Sequence, residues 1–149
     1  MPIAYTLHLL AVILWVGGLF FAHMVLRPAA MALDPAQRPS LWLRVLGGFF
    51  PWVWGAVILL PVTGYWMIHD RGGMAAVGVP VHIMQGLGWV MIALFLALFF
   101  GPYRAMKASL AAGELPEVER RQKQIRRLLT ANLHLGLTIT VIVAATRWL

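Results

Sequence analysis

The chain of 149 residues is 61% hydrophobic and 11% charged, which excludes an ordinary soluble domain. It contains no cysteine, so disulfides and thiolate metal sites are excluded, and histidine and methionine remain as the soft metal ligands. The net charge of +7 comes mostly from loops between apolar stretches, where membrane topology and attraction to anionic lipid explain it. We therefore predict that the chain contacts membrane lipid and binds no nucleic acid.

Four apolar stretches are long enough to cross a bilayer, which takes about 20 residues each. They cover residues 3–26, 47–68, 79–101 and 128–147. Because they use most of the chain, we predict one all-α integral membrane domain over residues 1–149, a bundle of four transmembrane helices. The first stretch lacks a basic n-region and is too long for a signal-peptide core, so we expect it to be retained.

Lysine and arginine concentrate in the first and third loops, and only Arg71 and Arg147 fall on the other side. The positive-inside rule then places those two loops in the cytoplasm and both termini in the periplasm. We accordingly predict a multi-pass protein of the bacterial inner membrane, with short amphipathic helical extensions on its cytoplasmic side.

The first stretch carries His8, and an ionisable side chain inside a membrane is costly enough to indicate a functional site. On a helix, His8 and Trp15 fall within about 20° of each other, beside a row of small residues. The row consists of Ala4, Ala11, Gly18 and Ala22. Small residues let a neighbouring helix or a flat macrocycle approach closely. The alternative is that this stripe only packs helices and that His8 bonds a nearby carbonyl.

Prolines indicate where the first two helices end, begin and bend. Pro28 is expected to stop the first helix, and Asp34 to cap a short amphipathic helix that reaches Leu46. Pro51 is expected in the first turn of the second span. Pro61 lies inside that span, where it should kink the helix and can thereby open a cavity.

The third stretch begins at Pro80, with His82 in its first turn and Gln85 and Trp89 on the same face. A helix N-terminus favours the neutral imidazole that a metal requires. Beyond this span, a polar helix from Pro116 is expected to lead directly into the fourth. It carries two i,i+4 ion pairs, Glu117–Arg121 and Glu119–Lys123.

The five histidines sort by depth into an outer group, His8, His82 and rim-level His69, and an inner pair, His23 and His134. Imidazoles of His8 and His82, on different helices, could ligate one haem iron from opposite faces. The indoles of Trp15 and Trp89 would then lie against the ring.

The inner pair could hold a second haem, with Arg27 and Arg127 as partners of its propionates. The alternative is that His134 bonds within a threonine-lined seam and that His23 reaches the interface.

Copper is the alternative cofactor. His69 and His82, together with methionines, would form an outer copper site from imidazole and thioether ligands. The methionines concerned are Met67, Met74 and Met84. Methionine is also a common filler of apolar packing, so these side chains can equally be structural. No nucleophile elbow, phosphate loop or zincin helix occurs in the sequence, and a third reading is a structural subunit of a larger complex.

The first span, with His8, Trp15, Gly17 and Gly18 before a turn near Arg27, resembles the opening helix of the copper-resistance D (CopD-like) membrane family. It also resembles the related haem-J type protoporphyrinogen oxidases, small four-helix inner-membrane proteins that bind haem b. The VHIM stretch at residues 81–84 is similar to the third-span motif of those oxidases, and Asn132 matches an asparagine of their last helix. The resemblance implies that His8 and His82 are paired functional histidines. Met84 stands where the oxidases carry a lysine.

The first hypothesis is therefore a b-type haem protein with one or two haem groups, ligated by histidines of different helices. Such a protein would transfer electrons, or oxidise a small substrate as a membrane oxidoreductase, with a redox partner that the sequence does not identify. The alternative is a copper-handling or copper-transport protein of the copper-resistance D type. A homo-oligomer is a further hypothesis on either reading.

Overall fold

The computed structural model describes residues 1–146. Four helices are long and apolar enough to cross a membrane, and within the described residues there is no strand. They are α1 (Pro2–Ala30), α2 (Arg38–Asp70), α3 (Val79–Ala111) and α4 (Leu115–Ala145). The predicted all-helical bundle with four spanning helices is thus confirmed. The predicted end of the fourth span, at Arg147, lies outside the described residues.

The helices run up and down, so the bundle has two different ends. The N-terminal ammonium lies 3.8 Å from Asp70 Oδ2, which brings the start of α1 to the end of α2. We call this the outer end. The opposite, basic end carries the loops at residues 31–37 and 112–114, where Gly113 adopts φ +73°, a conformation that suits glycine at a helix end. Which side of a membrane each end faces stays a prediction.

Helix α1 does not end at Pro28, so that prediction was wrong. The segment Ala22–Leu26 is a π-helical turn, and the backbone N–H of Arg27 bonds to the carbonyl of Ala22, five residues back. A proline lacks an N–H and collides with the carbonyl four residues earlier, and this wider turn makes room for it. Helix α3 contains a second π-helical turn at Phe99–Tyr103, which includes Pro102.

Helix α2 is one continuous helix of 33 residues, so the separate amphipathic helix ending at Leu46 was also a wrong prediction. Its first turn contains Pro39, and Asp34 is not its cap. Instead, the Asp34 carbonyl accepts a 2.9 Å hydrogen bond from the backbone N–H of Gln37 in the preceding turn. Pro51 lies inside the helix and not in its first turn. The predicted helix starts at Pro80 and Pro116 hold to within one or two residues.

An aromatic cluster fills the space between α1, α2 and α3. Its central ring, Phe50, is 2% exposed and meets Phe95 and Tyr103 edge to face, at centroid distances of 5.4 and 4.8 Å. The other members of the aromatic cluster are Trp15, Trp54 and Phe99. Because lipid tails are as apolar as side chains, such close packing is what holds spanning helices together.

The small-residue stripe of α1 packs against helices. A Cβ added at Gly18 would overlap the ring of Phe49 on α2, and Ala4 and Ala11 are buried. The alternative reading of this stripe, helix packing, is therefore the one that the structure supports. At the basic end, both predicted ion pairs of α4 are confirmed, at 2.7 Å for Glu117–Arg121 and 3.3 Å for Glu119–Lys123.

Candidate functional site

Among the described residues, His8 makes one side-chain hydrogen bond to α2. Its Nδ1 lies 2.8 Å from Thr63 Oγ1, across the interface between α1 and α2. The next residue of α2, Gly64, leaves room for the imidazole, because a Cβ added there would lie 3.5 Å from His8 Cε1. Thr63 and Gly64 together leave a space on α2 that fits the imidazole ring of His8.

The hydrogen-bond pattern of Thr63 decides which ring nitrogen of His8 carries the proton. The Thr63 hydroxyl lies 2.6 Å from the carbonyl oxygen of Leu59, which can only accept, so the hydroxyl donates its one hydrogen there. Its oxygen must then accept from His8 Nδ1–H. The lone pair of His8 is consequently on Nε2, the arrangement in which a second hydrogen bond fixes the tautomer of a metal-binding histidine.

His8 lines a cavity of about 120 Å³ between the helices near the outer end. Four other residues of the predicted site faces line the same cavity, namely Trp15, Met84, Gln85 and Trp89. Pro61 lines it as well, so a cavity lies beside the proline where a kink was expected to open one. The wall is mainly apolar, and its soft donors are the His8 imidazole and the thioethers of Met84 and Met91.

The structure does not bring His8 and His82 together in this cavity. His82 and His69 are both exposed on the outside of the chain and are not among the lining residues, and Met67 is not either. The sequence placed His82, Gln85 and Trp89 on one face of α3. Gln85 and Trp89 line the cavity, and His82 does not. The soft ligands that α3 contributes to the cavity lined by His8 are two methionines, Met84 and the buried Met91.

Tyr65, which was not predicted from the sequence, joins α2 to α3 at the cavity. Tyr65 Oη accepts hydrogen bonds from Gln85 Nε2 at 2.5 Å and from Trp89 Nε1 at 3.2 Å. Thr63, the partner of His8, was not predicted from the sequence either. The only signal was that Thr63 and Tyr65 are the two hydroxyl residues in the otherwise apolar stretch 47–68.

The outer cavity is small for a porphyrin, and the haem site stays a prediction. Pockets for ligands of drug size occupy about 300–1,000 Å³, well above the 120 Å³ found here. The predicted bis-histidine arrangement also calls for a second histidine opposite His8, and the described residues of the lining include none. The cavity does suit one metal ion with a few small ligands, since a water molecule takes about 30 Å³.

The inner histidines are separated by Thr130 of α4. His23 Nδ1 lies 3.4 Å from the Thr130 hydroxyl, whereas His134 Nδ1–H donates a 2.8 Å hydrogen bond to the Thr130 carbonyl. His134 is exposed on the outside of the bundle, as is Arg127. The structure therefore does not place these two imidazoles around a common ligand.

His23 and Arg27 instead line a second, larger pocket of about 540 Å³ at the basic end. We call it the basic-end pocket. Arg126, and not Arg127, is the arginine that α4 contributes to it.

The donor types also limit the metal chemistry. Within residues 1–146, no three side chains of the His, Cys, Asp and Glu types come close enough to hold a metal ion. Hard cations prefer clusters of carboxylates, whereas an imidazole beside a thioether is a donor set that suits copper.

A sequence model of the family Copper resistance protein D matches residues 43–146. The match covers α3, α4 and most of α2, and the relation to haem-J type oxidases stays a prediction. Neither the curated proteins nor the solved structures include a significant match. Since the matched segment is more than half of the chain, the sequence that forms this four-helix bundle belongs to the Copper resistance protein D family of multi-pass membrane proteins.

Proposed function

We propose that the protein handles copper in the bacterial inner membrane and that the outer cavity binds Cu(I). His8 Nε2 and the Met84 thioether are the proposed ligands. The observation that carries this proposal is the 2.8 Å contact between His8 Nδ1 and Thr63, because it leaves Nε2 as the nitrogen with a free lone pair.

The position of the cavity supports a role in passing copper along. On the orientation expected from the basic loops, the outer end faces the periplasm, so the cavity would receive copper from that side. Its apolar wall favours the monovalent ion, which carries the smaller charge into a low-dielectric site. Copper is here the cargo, and two protein ligands bind it more loosely than a closed site would.

The experiment that tests the proposal is a Cu(I) competition titration. The protein is purified in neutral detergent under reducing conditions and titrated against a chromogenic Cu(I) chelator. We expect Met84→Leu, which conserves volume, to lower the Cu(I) affinity about tenfold or more, and His8→Asn to lower it further. X-ray absorption should show copper–sulfur scattering in the wild type and its loss in Met84→Leu. Scattering that persists in this variant would contradict Met84 as the ligand and assign the sulfur to Met91, the other methionine of the lining.

Matched substitutions outside the cavity provide the controls. Met67→Leu and His69→Asn change the same residue types near the outer end, and we expect both variants to bind Cu(I) as the wild type does. If these variants lose copper while Met84→Leu keeps it, the site is at the rim. If the purified protein binds no copper and shows a Soret band instead, the copper proposal is wrong.

A further inference from the structure

The basic-end pocket has a charge imbalance that the outer cavity and copper do not explain. Four cationic side chains line it, against one acidic side chain, Glu119. The cations are Arg27, Arg38, Lys123 and Arg126. Such an excess in a pocket between spanning helices indicates an anionic ligand.

Two of these cations are already partnered. Lys123 pairs with Glu119 at 3.3 Å, and the Arg38 guanidinium donates to the carbonyls of Met31 and Leu33 at 3.0 and 3.1 Å. These bonds tie the loop at residues 31–37 to the start of α2. They leave the donors of two other cationic pocket residues without a partner among the described residues.

Arg27 and Arg126 are the cations without a partner. Both are half-buried and line the pocket from different helices, and within residues 1–146 neither guanidinium makes an ion pair or a side-chain hydrogen bond. Two partly desolvated arginines facing one space repel each other unless an anion lies between them. A phosphate matches their planar donor geometry.

The rest of the wall is apolar, which indicates that the ligand has an apolar part. Leu110 and Leu129 lie half-buried at the wall, and the exposed side chains of Met31 and Leu115 extend it. Trp42 lies half-buried beside them, as interfacial tryptophans do at the level of lipid headgroups. A free phosphate would leave this apolar surface uncovered.

The local backbone explains how the arginine from α1 reaches the pocket. Ala22 and His23 in the π-helical turn line the pocket, and Arg27 follows directly after that turn. A π-helical turn changes the direction in which the following side chains point, and such turns are frequent at functional sites. The turn that accommodates Pro28 therefore also positions Arg27.

We propose that the basic-end pocket binds an anionic phospholipid, with the phosphate between Arg27 and Arg126 and the upper acyl chain along the apolar wall. The volume of about 540 Å³ lies within the range of ligand pockets, about 300–1,000 Å³, and holds a headgroup with part of a chain. The proposal does not depend on copper binding.

The experiment is native mass spectrometry of the full chain, delipidated in neutral detergent and offered equal amounts of phosphatidylglycerol and phosphatidylcholine with the same acyl chains. We expect the wild type to retain phosphatidylglycerol in preference. The double variant Arg27→Gln/Arg126→Gln should lower this preference about tenfold or more. The double variant Arg27→Lys/Arg126→Lys should recover part of it, since it keeps the charge and loses only the planar donor geometry.

The matched control is Arg44→Gln/Arg127→Gln, which removes the same charge from two exposed arginines outside the pocket. It should leave the preference unchanged. Ala36→Trp tests the pocket by size, because Ala36 is an exposed lining residue whose replacement leaves the core and the charges in place. We expect it to reduce retention of phosphatidylglycerol, and it keeps the test valid if the double glutamine variant does not fold.

Three results would overturn the proposal. The wild type could retain both lipids equally, the control could lose as much preference as the pocket variant, or sn-glycerol 3-phosphate could displace the lipid completely. The last result would mean that the site recognises a free phosphate monoester.

Discussion

Gly136 on α4 lies so close to Val16 on α1 that a Cβ added to the glycine would be 2.7 Å from Val16 Cγ2 and 3.3 Å from Met91 Cε on α3. Three helices therefore meet where only a hydrogen fits. Since close backbone approach at small residues is a main source of stability between spanning helices, this position should not tolerate a methyl group.

We predict that Gly136→Ala lowers the free energy of unfolding by about 1–3 kcal/mol through overpacking. Thermal unfolding in detergent, followed by circular dichroism, measures the loss. Adding Val16→Ala should restore most of it by removing the colliding methyl groups. Gly86→Ala is the control, because open space surrounds Gly86 on α3 and alanine is the better helix former. An equal loss in the control would contradict the steric explanation.

A second prediction concerns the tautomer of His8. Thr63→Val removes the acceptor of His8 Nδ1–H with little change in shape, and we expect the Cu(I) affinity to fall about 10–100-fold because the imidazole is no longer oriented. Thr63→Ser keeps the hydroxyl and should bind as the wild type does.

The control for this prediction is Thr138→Val on the exposed face of α4, which should leave the affinity unchanged. If Thr63→Val titrated like the wild type, the hydrogen bond to Thr63 would have no part in copper binding.

A third prediction concerns the aromatic cluster. Phe50 contacts rings of α3 from the centre of the cluster, so Phe50→Ala should cost about 3–5 kcal/mol of unfolding free energy, as large-to-small substitutions in buried sites do. Trp52→Ala removes a larger ring that is 65% exposed, and we expect a much smaller loss. Chemical unfolding in mixed micelles compares the unfolding free energies of the two variants. Equal losses would mean that the aromatic cluster does not stabilise the bundle.

The depth of a residue in the bundle could be predicted from the sequence better than the direction in which its side chain points. Apolar length located all four spans, and helical periodicity placed His8 and Trp15 on one face, because both depend on a single helix. The predicted depths of His23 and His134 were also similar. The rotation of each helix about its own axis is set by packing between helices, and that packing turns His134 outward while His23 faces the basic-end pocket.

The partners of the site residues were not predictable for the same reason. Thr63 meets His8 across 55 residues of sequence, and no local pattern encodes that contact. Pro28 was expected to end a helix, since proline usually does, but a π-helical turn accommodates it instead. Met84 was considered as a ligand of a rim site, whereas in the fold it lines the same cavity as His8.

The last prediction concerns Asn132, the only buried polar side chain with an unpaired atom among the described residues. Asn132 is 1% exposed, and its Oδ1 has no hydrogen-bond partner. A buried acceptor without a partner costs about 1–3 kcal/mol, so Asn132→Leu, which fills a similar volume, should raise the free energy of unfolding by that amount. Asn132→Asp should lower it, because an unpaired charge is costlier still.

Unfolding of both variants in detergent, beside the wild type, measures the two changes with opposite expected signs. A loss of stability in Asn132→Leu would contradict the prediction and would mean that the amide oxygen is paired in the isolated protein with a bound water or ligand. Repeating the Asn132→Leu measurement on the copper-loaded and copper-free protein then distinguishes a bound ligand from a bound water. A loss that appears only with copper would connect Asn132 to the proposed site, whereas a loss in both forms would assign it to a buried water.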